Sequence, residues 1–510
     1  MTFPYTKEIF LTILSMPTLH KYFPEISAFA SWAFVMIFEI LGARLLWVYV
    51  GTSLFVWTSI IGLILAALSL WYYAGWRLAD RWANMENVAL LFSLSGFGYV
   101  LLPYISSPVL LYITSIFGDV RISSLLATCI LFVPVSFLLG MIQPICTKVQ
   151  LTKIENAWEI IGRIGSIWTV GSIVWTIAAG FFLIPYFGIT YLLILLWVFS
   201  LFLSLLISTK KLLWVNILIW FVILCTIFSH SQYKSSLEDM WIREIETGYS
   251  HITIKDELRW LSPVRNLYVD NVTHAWMYLD KDSLLYPYTQ AYHLFDVFHP
   301  KAESVLMLWW AAYSFPKSFV SLYPDKMIDV VEIDPDMTRL AKQYFNLGEY
   351  NNLSSIHSDG RVYLNTTEKK YDAILWDAFG SYYSIPYQLT TLETVQKKYD
   401  ILTKDWVVLL NIVSTLWWEA SAFLHSQYLT YSKVFPDVQI IPISNPDNPD
   451  LVQNIMLIAR KNPQIQVKTP QSPNLLSFLE RMQKMTPQDD TRLLTDDYAP
   501  VDFFTSFYLQ

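Results

Sequence analysis

Glycine is scarce in this chain: 17 in 510 residues, under half of the ~7% typical of proteins. Cysteine is nearly absent. Cys129, Cys146 and Cys225 lie in or beside apolar runs with no ligand-like spacing, which excludes both a disulfide framework and a cysteine-based metal site. Charge is also sparse, at 15% of residues against 54% hydrophobic, too apolar for a wholly soluble protein of this length. The first 25 residues hold Lys7 and Lys21 around a short apolar run with no small-residue cleavage site, so a removable signal peptide is not expected.

What charge there is divides unevenly. Residues 1–230 carry 11 Lys/Arg and 8 Asp/Glu, whereas 231–510 carry 24 and 34. An acidic second half argues against nucleic acid as a partner, because phosphate binding needs a basic face. The composition shift points to a terminal segment (1–26), a transmembrane domain (27–230), a small β region (240–300) and an α/β domain (301–510).

Apolar runs near 27–49, 54–74, 87–104, 122–142, 164–185, 189–208 and 212–229 are long enough to cross ~30 Å of hydrocarbon, which makes about seven candidate spans. The short stretch 105–118 contains Pro108 and reads as an interfacial or re-entrant piece. Basic residues gather in the loops holding Arg77 and Arg81, Lys148 and Lys153, and Lys210 and Lys211, which assigns those loops to the cytoplasm. Seven spans would then place the second half outside, away from any cytoplasmic cosubstrate, while an error of one span reverses this; the side is left open. A multi-pass protein of a bacterial-type plasma membrane, embedded in the lipid bilayer, is the expectation. Glu39 and Arg44 fall inside the first run, where a charge costs at least ~2.5 kcal/mol, so both should face protein or water as an ion pair or a pathway.

From about 245 short β-rich runs give way to strands alternating with helices, the pattern of a parallel sheet with crossovers. Strand-like runs are VLML (305–308), IDVVEI (328–333), YDAILW (371–376) and VVLLNI (407–412), with helices expected over 336–346 and 390–401. Chemistry in such sheets collects at the carboxyl ends of the strands. There stand Trp309, Trp310 and Ala311 after the first run, Glu332 and Asp334 after the second, then Asp359 and Gly360 in SDGR, and Asp377 after the fourth. An acid after a strand is more often a helix cap than a ligand. Four in this order and spacing are a stronger signal.

These residues carry a resemblance. THAWMYLD (273–280), DVVEIDPDMTRLAKQYF (329–345), SDGRVYL (358–364), DAFGSYYSIPYQLTTLE (377–393) and LTDDYAPV (494–501), with FEILGARLL (38–46) and YYAGWRLADR (72–81) in the apolar half, resemble the membrane-fused branch of the spermidine synthase family of aminopropyltransferases. The resemblance implies a multi-pass α-helical membrane domain followed by an α/β Rossmann-like, methyltransferase-type spermidine synthase domain with a small preceding β region. It implies decarboxylated S-adenosylmethionine, or S-adenosylmethionine, as cosubstrate, no prosthetic group, no metal, and a small amine or polyamine as acceptor; it allows a homodimer. By it, Asp377 is the catalytic carboxylate that takes the amine's proton, Glu332 binds ribose, Asp359 the adenine amino group, and Tyr288 and Gln290 lie near the acceptor channel. Trp309, Trp310, Ala311, Asp334 and Gly360 complete the cosubstrate site. Two family carboxylates are missing, replaced by Ala312 and Gly380. That leaves open another S-adenosyl-dependent transfer, or a membrane transporter or sensor whose module only binds.

Where the family pattern expects glycine, this chain has tryptophan at 32, 71, 76, 158, 175, 276, 309, 310 and 406. Indoles at 309 and 310 would fill the space in which a ligand must approach the backbone. With 21 tryptophans against 17 glycines, one cause would account for all nine, UGA codons decoded as glycine in some bacterial lineages and rendered as tryptophan; the alternative is a tryptophan-rich pseudoenzyme whose pocket is obstructed. Trp57 and Trp241 need no such explanation.

Overall fold

The computed structural model describes residues 21–208 except 52 and 152–155, and 240–505 except 260–261, 282, 309–311, 378–384, 418 and 465–466; between 208 and 240 it describes only 218, 221, 225, 232, 235 and 236. The chain divides into two compact units, Met1–Met240 and Trp241–Gln510.

The first unit is helical. In it α1 (Phe23–Val50), α2 (Leu54–Trp82) and α3 (Met85–Ile116) are followed by three shorter helices, α4 (Val120–Leu131), α5 (Val133–Gly140) and α6 (Ile142–Gln150). Next come α7 (Ala157–Ala178), a π-helical turn at Ala179–Leu183 and α8 (Ile189–Ile207). Among the described residues five helices are long and apolar enough to cross a membrane, or up to six if the pair bent by 46° between Val120–Leu131 and Val133–Gln150 is one span.

One expectation changes here and another is not reached. The stretch 105–118 is no separate interfacial piece, because α3 runs unbroken through Pro103 and Pro108 to Ile116; a proline's lost hydrogen bond is tolerated where neighbouring helices support the segment, and α3 packs along α8 and α5. The seventh run, 212–229, lies outside the described residues apart from 218, 221 and 225. Arg44 is buried in α1 and its guanidinium donates to the Ile184 carbonyl at 3.4 Å, while Glu39 is half-buried. Glu25, buried at the start of α1, pairs with Arg163 at 3.2 Å.

The second unit opens with a four-stranded antiparallel meander, β1 (Ile242–Glu246), β2 (His251–Arg259), β3 (Ser262–Val269) and β4 (Val272–Tyr278). Asp270 and Asn271, both at positive φ (49° and 62°), make the tight β3–β4 turn, the left-handed pair that a two-residue hairpin demands. A seven-stranded sheet follows, built of β5 (Ser304–Leu308), β6 (Met327–Glu332), β7 (Leu353–His357), β8 (Tyr371–Trp376), β9 (Leu402–Ser414), β10 (Asp437–Pro442) and β11 (Gln453–Arg460) in the order β10-β11-β9-β8-β5-β6-β7. Strands β7, β6, β5, β8 and β9 are parallel; β11 and β10 are antiparallel additions. The four strand-like runs read from sequence are β5, β6, β8 and part of β9, each buried as central strands must be. Helices α9 (Ser314–Leu322), α10 (Pro335–Tyr344), α11 (Gly360–Thr366) and α12 (Leu392–Ile401) make the crossovers.

The chain passes from β5 to β6 and β7 on one side, then returns across β5 to β8 on the other. The carboxyl ends of β5 and β8 therefore flank the point where strand order reverses, the place where open parallel sheets leave a crevice.

Candidate active site

The crevice is present. A cavity of about 130 Å³ is lined by Leu308 from the end of β5, Val331 and Ile333 around the end of β6, Ser358, Asp359 and Gly360 after β7, Trp376 at the end of β8, and Pro386, Gln388 and Leu389. The lining is chiefly apolar with a carboxylate at one edge, which suits a flat heteroaromatic ring with an exocyclic amine.

Each acid is positioned by the strand before it. Glu332 ends β6, is buried, and accepts the Asp334 amide on Oε1 at 2.9 Å. Asp334 caps α10, accepting the Asp336 amide at 3.0 Å on one oxygen and the Thr247 hydroxyl at 2.6 Å on the other. Burial raises its pKa above that of an ordinary aspartate. Asp359 caps α11, with Oδ1 accepting the Arg361 and Val362 amides at 2.8 and 3.0 Å, while the residue also lines the cavity. Cap and lining role thus coincide at Asp359, whereas both oxygens of Asp334 are taken up by the cap and by Thr247.

Asp377 follows β8, its amide donating to the Leu308 carbonyl at 3.2 Å and so extending the β5–β8 pairing by one residue. Its carboxylate receives the Asn411 side-chain amide at 3.0 Å and a hydrogen bond from the Tyr288 hydroxyl. Burial pushes it up to about 6, and those two hydrogen bonds hold it from rising further. A carboxylate tuned to that range is ionised at neutral pH and can still accept a proton. Tyr292 stands beside it, its hydroxyl donating to the Trp376 carbonyl at 2.7 Å.

Of the two residues expected near an acceptor, Tyr288 reaches Asp377. Gln290 is engaged elsewhere, donating to the Leu284 carbonyl at 3.1 Å and accepting from Asn474 at 2.8 Å. Trp309, Trp310 and Ala311 lie outside the described residues. Directly after them Ala312 is buried and Tyr313 takes a left-handed conformation (φ 56°), its hydroxyl bonded to Thr338, which in turn bonds His357. Among the described residues there is no cluster of three or more His, Cys, Asp or Glu side chains suited to a metal.

Asn411 escaped the sequence reading, although a signal was there: it is the one polar residue in the buried run VVLLNIV. Asn454 donates to its carbonyl oxygen at 3.1 Å, which fixes the amide so that its NH₂ faces Asp377. Arg361 of SDGR was read only as part of a motif. It ties α11 to the Gln388 carbonyl, Thr391, Thr394 and Asp496, the last at 2.6 Å, and so braces the segment Pro386–Leu389 that closes the cavity.

Fold and site together define a Rossmann-like α/β domain with a chiefly apolar crevice at the carboxyl ends of its strands and a half-buried carboxylate after its fourth parallel strand. Residues 301–469 match the Spermine/spermidine synthase domain family. The chain is 27% identical over 236 residues to the polyamine aminopropyltransferase of Vibrio vulnificus (strain CMCP6), covering 43% of this chain and 75% of that protein. It is 31% identical over 111 residues to a probable polyamine aminopropyl transferase of Bifidobacterium longum (strain NCC 2705), covering 22% and 24%. A solved probable spermidine synthase from Corynebacterium glutamicum ATCC 13032 covers 51% of this chain and 98% of its own at 16% identity and a TM-score of 0.43. That family match lies wholly within the second unit of the chain.

Proposed function

We propose that this domain transfers an aminopropyl group from decarboxylated S-adenosylmethionine to an amine acceptor, releasing methylthioadenosine. The observation that carries the reading is Asp377, poised at about 6 between Tyr288 and Asn411 beside the crevice of a spermine/spermidine synthase domain. The amine attacks the carbon next to the sulfonium, so a C–N bond forms as the C–S bond breaks and the sulfur leaves as a neutral thioether. The leaving group needs no acid. What the protein supplies is position and a proton acceptor: Asp377 takes the proton of the attacking ammonium and keeps the amine's lone pair free. Glu332 holds the ribose hydroxyls, Asp359 the adenine amino group, and Gly360 and Leu389 the faces of the ring, while Asp334 shapes the turn from which Glu332 projects.

Ala312 favours a second reading. It is buried where the family places an acid that grips the donor's ammonium and would repel a carboxylate on the same carbon, so S-adenosylmethionine itself, which carries that carboxylate beside its ammonium, is the competitor. Purified protein given decarboxylated S-adenosylmethionine and putrescine releases methylthioadenosine under the first reading; S-adenosylmethionine gives S-adenosylhomocysteine under the second. Turnover of neither leaves a module that only binds.

The first unit fits a multi-pass membrane anchor. Its five long helices carry exposed Leu54, Leu70, Phe181 and Tyr191 on their outer faces, surface that lipid covers at no cost and water does not. Recovery of the chain in an alkali-washed membrane pellet tests this directly.

A further inference from the structure

Trp71 sits on α2 against α5, and its ring centroid lies 2.7 Å from that of Phe137. Aromatic rings in contact keep their centroids ~4.5–7 Å apart, so an indole at 71 and a phenyl at 137 exclude one another. The same face of α2 shows what the contact is built for. Four residues on, a Cβ at Gly75 would meet Pro144 at 3.1 Å, and across the interface a Cβ at Gly140 would meet Leu68 at 3.2 Å and Trp71 at 3.3 Å. Helices approaching this closely require small residues at the contact, and glycine at 71 would face Gly140 of α5 and complete G-x-x-x-G with Gly75, which faces Pro144 of α6. The Trp71 indole N–H is also buried without an acceptor, a loss that a membrane interior makes hard to offset.

Position 276 repeats the conflict in the second unit. The Trp276 indole N–H is buried without an acceptor, and the residue directly opposite on β3, Asn266, is fully buried with both amide atoms unpartnered. Cross-strand partners share a face of the sheet, so the indole covers an amide that has nothing to bond. Trp276 also walls a cavity of about 140 Å³ with Met277, Lys281, Leu284 and Lys317. From there Tyr286 and Tyr288 lead on in contact, ring to ring, to Asp377.

We infer that the protein as translated holds glycine, specified by UGA, at positions 71 and 276, and that glycine at 276 opens the cavity beside Tyr286 onto the Asn266 amide as a polar contact for the amine acceptor. Only the acceptor clause rests on the aminopropyl-transfer reading; residue identity does not. Nucleotide sequence at codons 71 and 276, with peptide masses of protein purified from its native cells, decides it. UGA codons and glycine masses are the expected result, and UGG codons with tryptophan masses overturn the inference whatever the enzyme's activity.

A sign test adds to this. Cutting a well-packed buried tryptophan down to glycine removes core and lowers stability. When the chain is made with tryptophan at every such position, Trp71→Gly is expected instead to raise the folded-to-unfolded ratio in detergent about 5- to 30-fold. A fall of similar size overturns the assignment at 71. Absence of methylthioadenosine release from the glycine form would refute the proposed reaction and leave the residue assignments standing.

Discussion

The two units solve the problem of polar groups in opposite ways. In the first, polar side chains are few and close on near neighbours: Ser59 with Ser124 at 3.0 Å, Ser93 with Ser204 at 2.7 Å, and Arg44 with a backbone carbonyl beside the π-helical turn. In the second, carboxylates are brought to strand ends and held there by backbone amides, as at Asp334 and Asp359, or by a tuned pair of side chains, as at Asp377. The difference teaches where function resides. A polar group whose atoms are all taken up by its neighbours is architecture even where burial shifts its acid strength, as at Asp334, whereas a shifted carboxylate at a strand end that caps nothing is a candidate for chemistry.

The largest test of that contrast is Asp377→Asn, expected to cut aminopropyl transfer at least ~100-fold while sparing methylthioadenosine binding, measured by steady-state assay and calorimetry. Retained turnover would remove the distinction between the two units. The fold raises this group to about 6, so its neutral form is favoured and stability is greatest below the ordinary carboxylate range, falling as pH rises through 6. Asp377→Asn should therefore raise the domain's unfolding free energy at pH 7–8, by up to about 2 kcal/mol, and leave it unchanged near pH 3. Activity of the unmutated protein should climb through pH 6 as the carboxylate ionises.

Next in size is Glu332→Gln, expected to weaken adenosyl binding about tenfold or more by removing a charge-assisted hydrogen bond to ribose, read by calorimetry with methylthioadenosine. Equal affinity would demote Glu332 to a turn residue like Asp334. Arg361→Met comes third. Losing its ties to Gln388, Thr391 and Asp496 should cost about 1–2 kcal/mol and raise KM for the cosubstrate more than it lowers kcat, since Arg361 braces the cavity wall without touching the reacting atoms. Smallest is Ser93→Ala in the first unit, expected to cost about 0.6 kcal/mol in detergent unfolding. A loss as large as that of Arg361→Met would mean the helical unit uses its polar contacts as tightly as the soluble one does.

The legibility of the chain follows the same divide. The runs VLML, IDVVEI and YDAILW became β5, β6 and β8 to within a residue, because a strand buried on both faces must be continuously apolar and leaves no second reading. Glu332, Asp359 and Asp377 stood out as candidates because strand ends in a parallel sheet converge on one edge. The helical half was read less well. Pro108 suggested a break that α3 does not make, since the cost of a proline depends on neighbours that a single segment does not reveal.

Local pattern by itself determined the division of the chain, the parallel sheet, and the identity of the acids at its edge. Hydrophobic period and strand-end position act over a few residues. Tertiary structure decided that Asp359 both caps a helix and lines the crevice while Asp334 is spent on its cap and Thr247, as well as the pairing of Asn411 and Tyr288 with Asp377 from 34 residues after it and 89 before. Such partners meet only when the whole sheet closes. Burial, the cause of the shifted acidity at Asp377, is a property of all the chain that surrounds a group and not of the residues beside it.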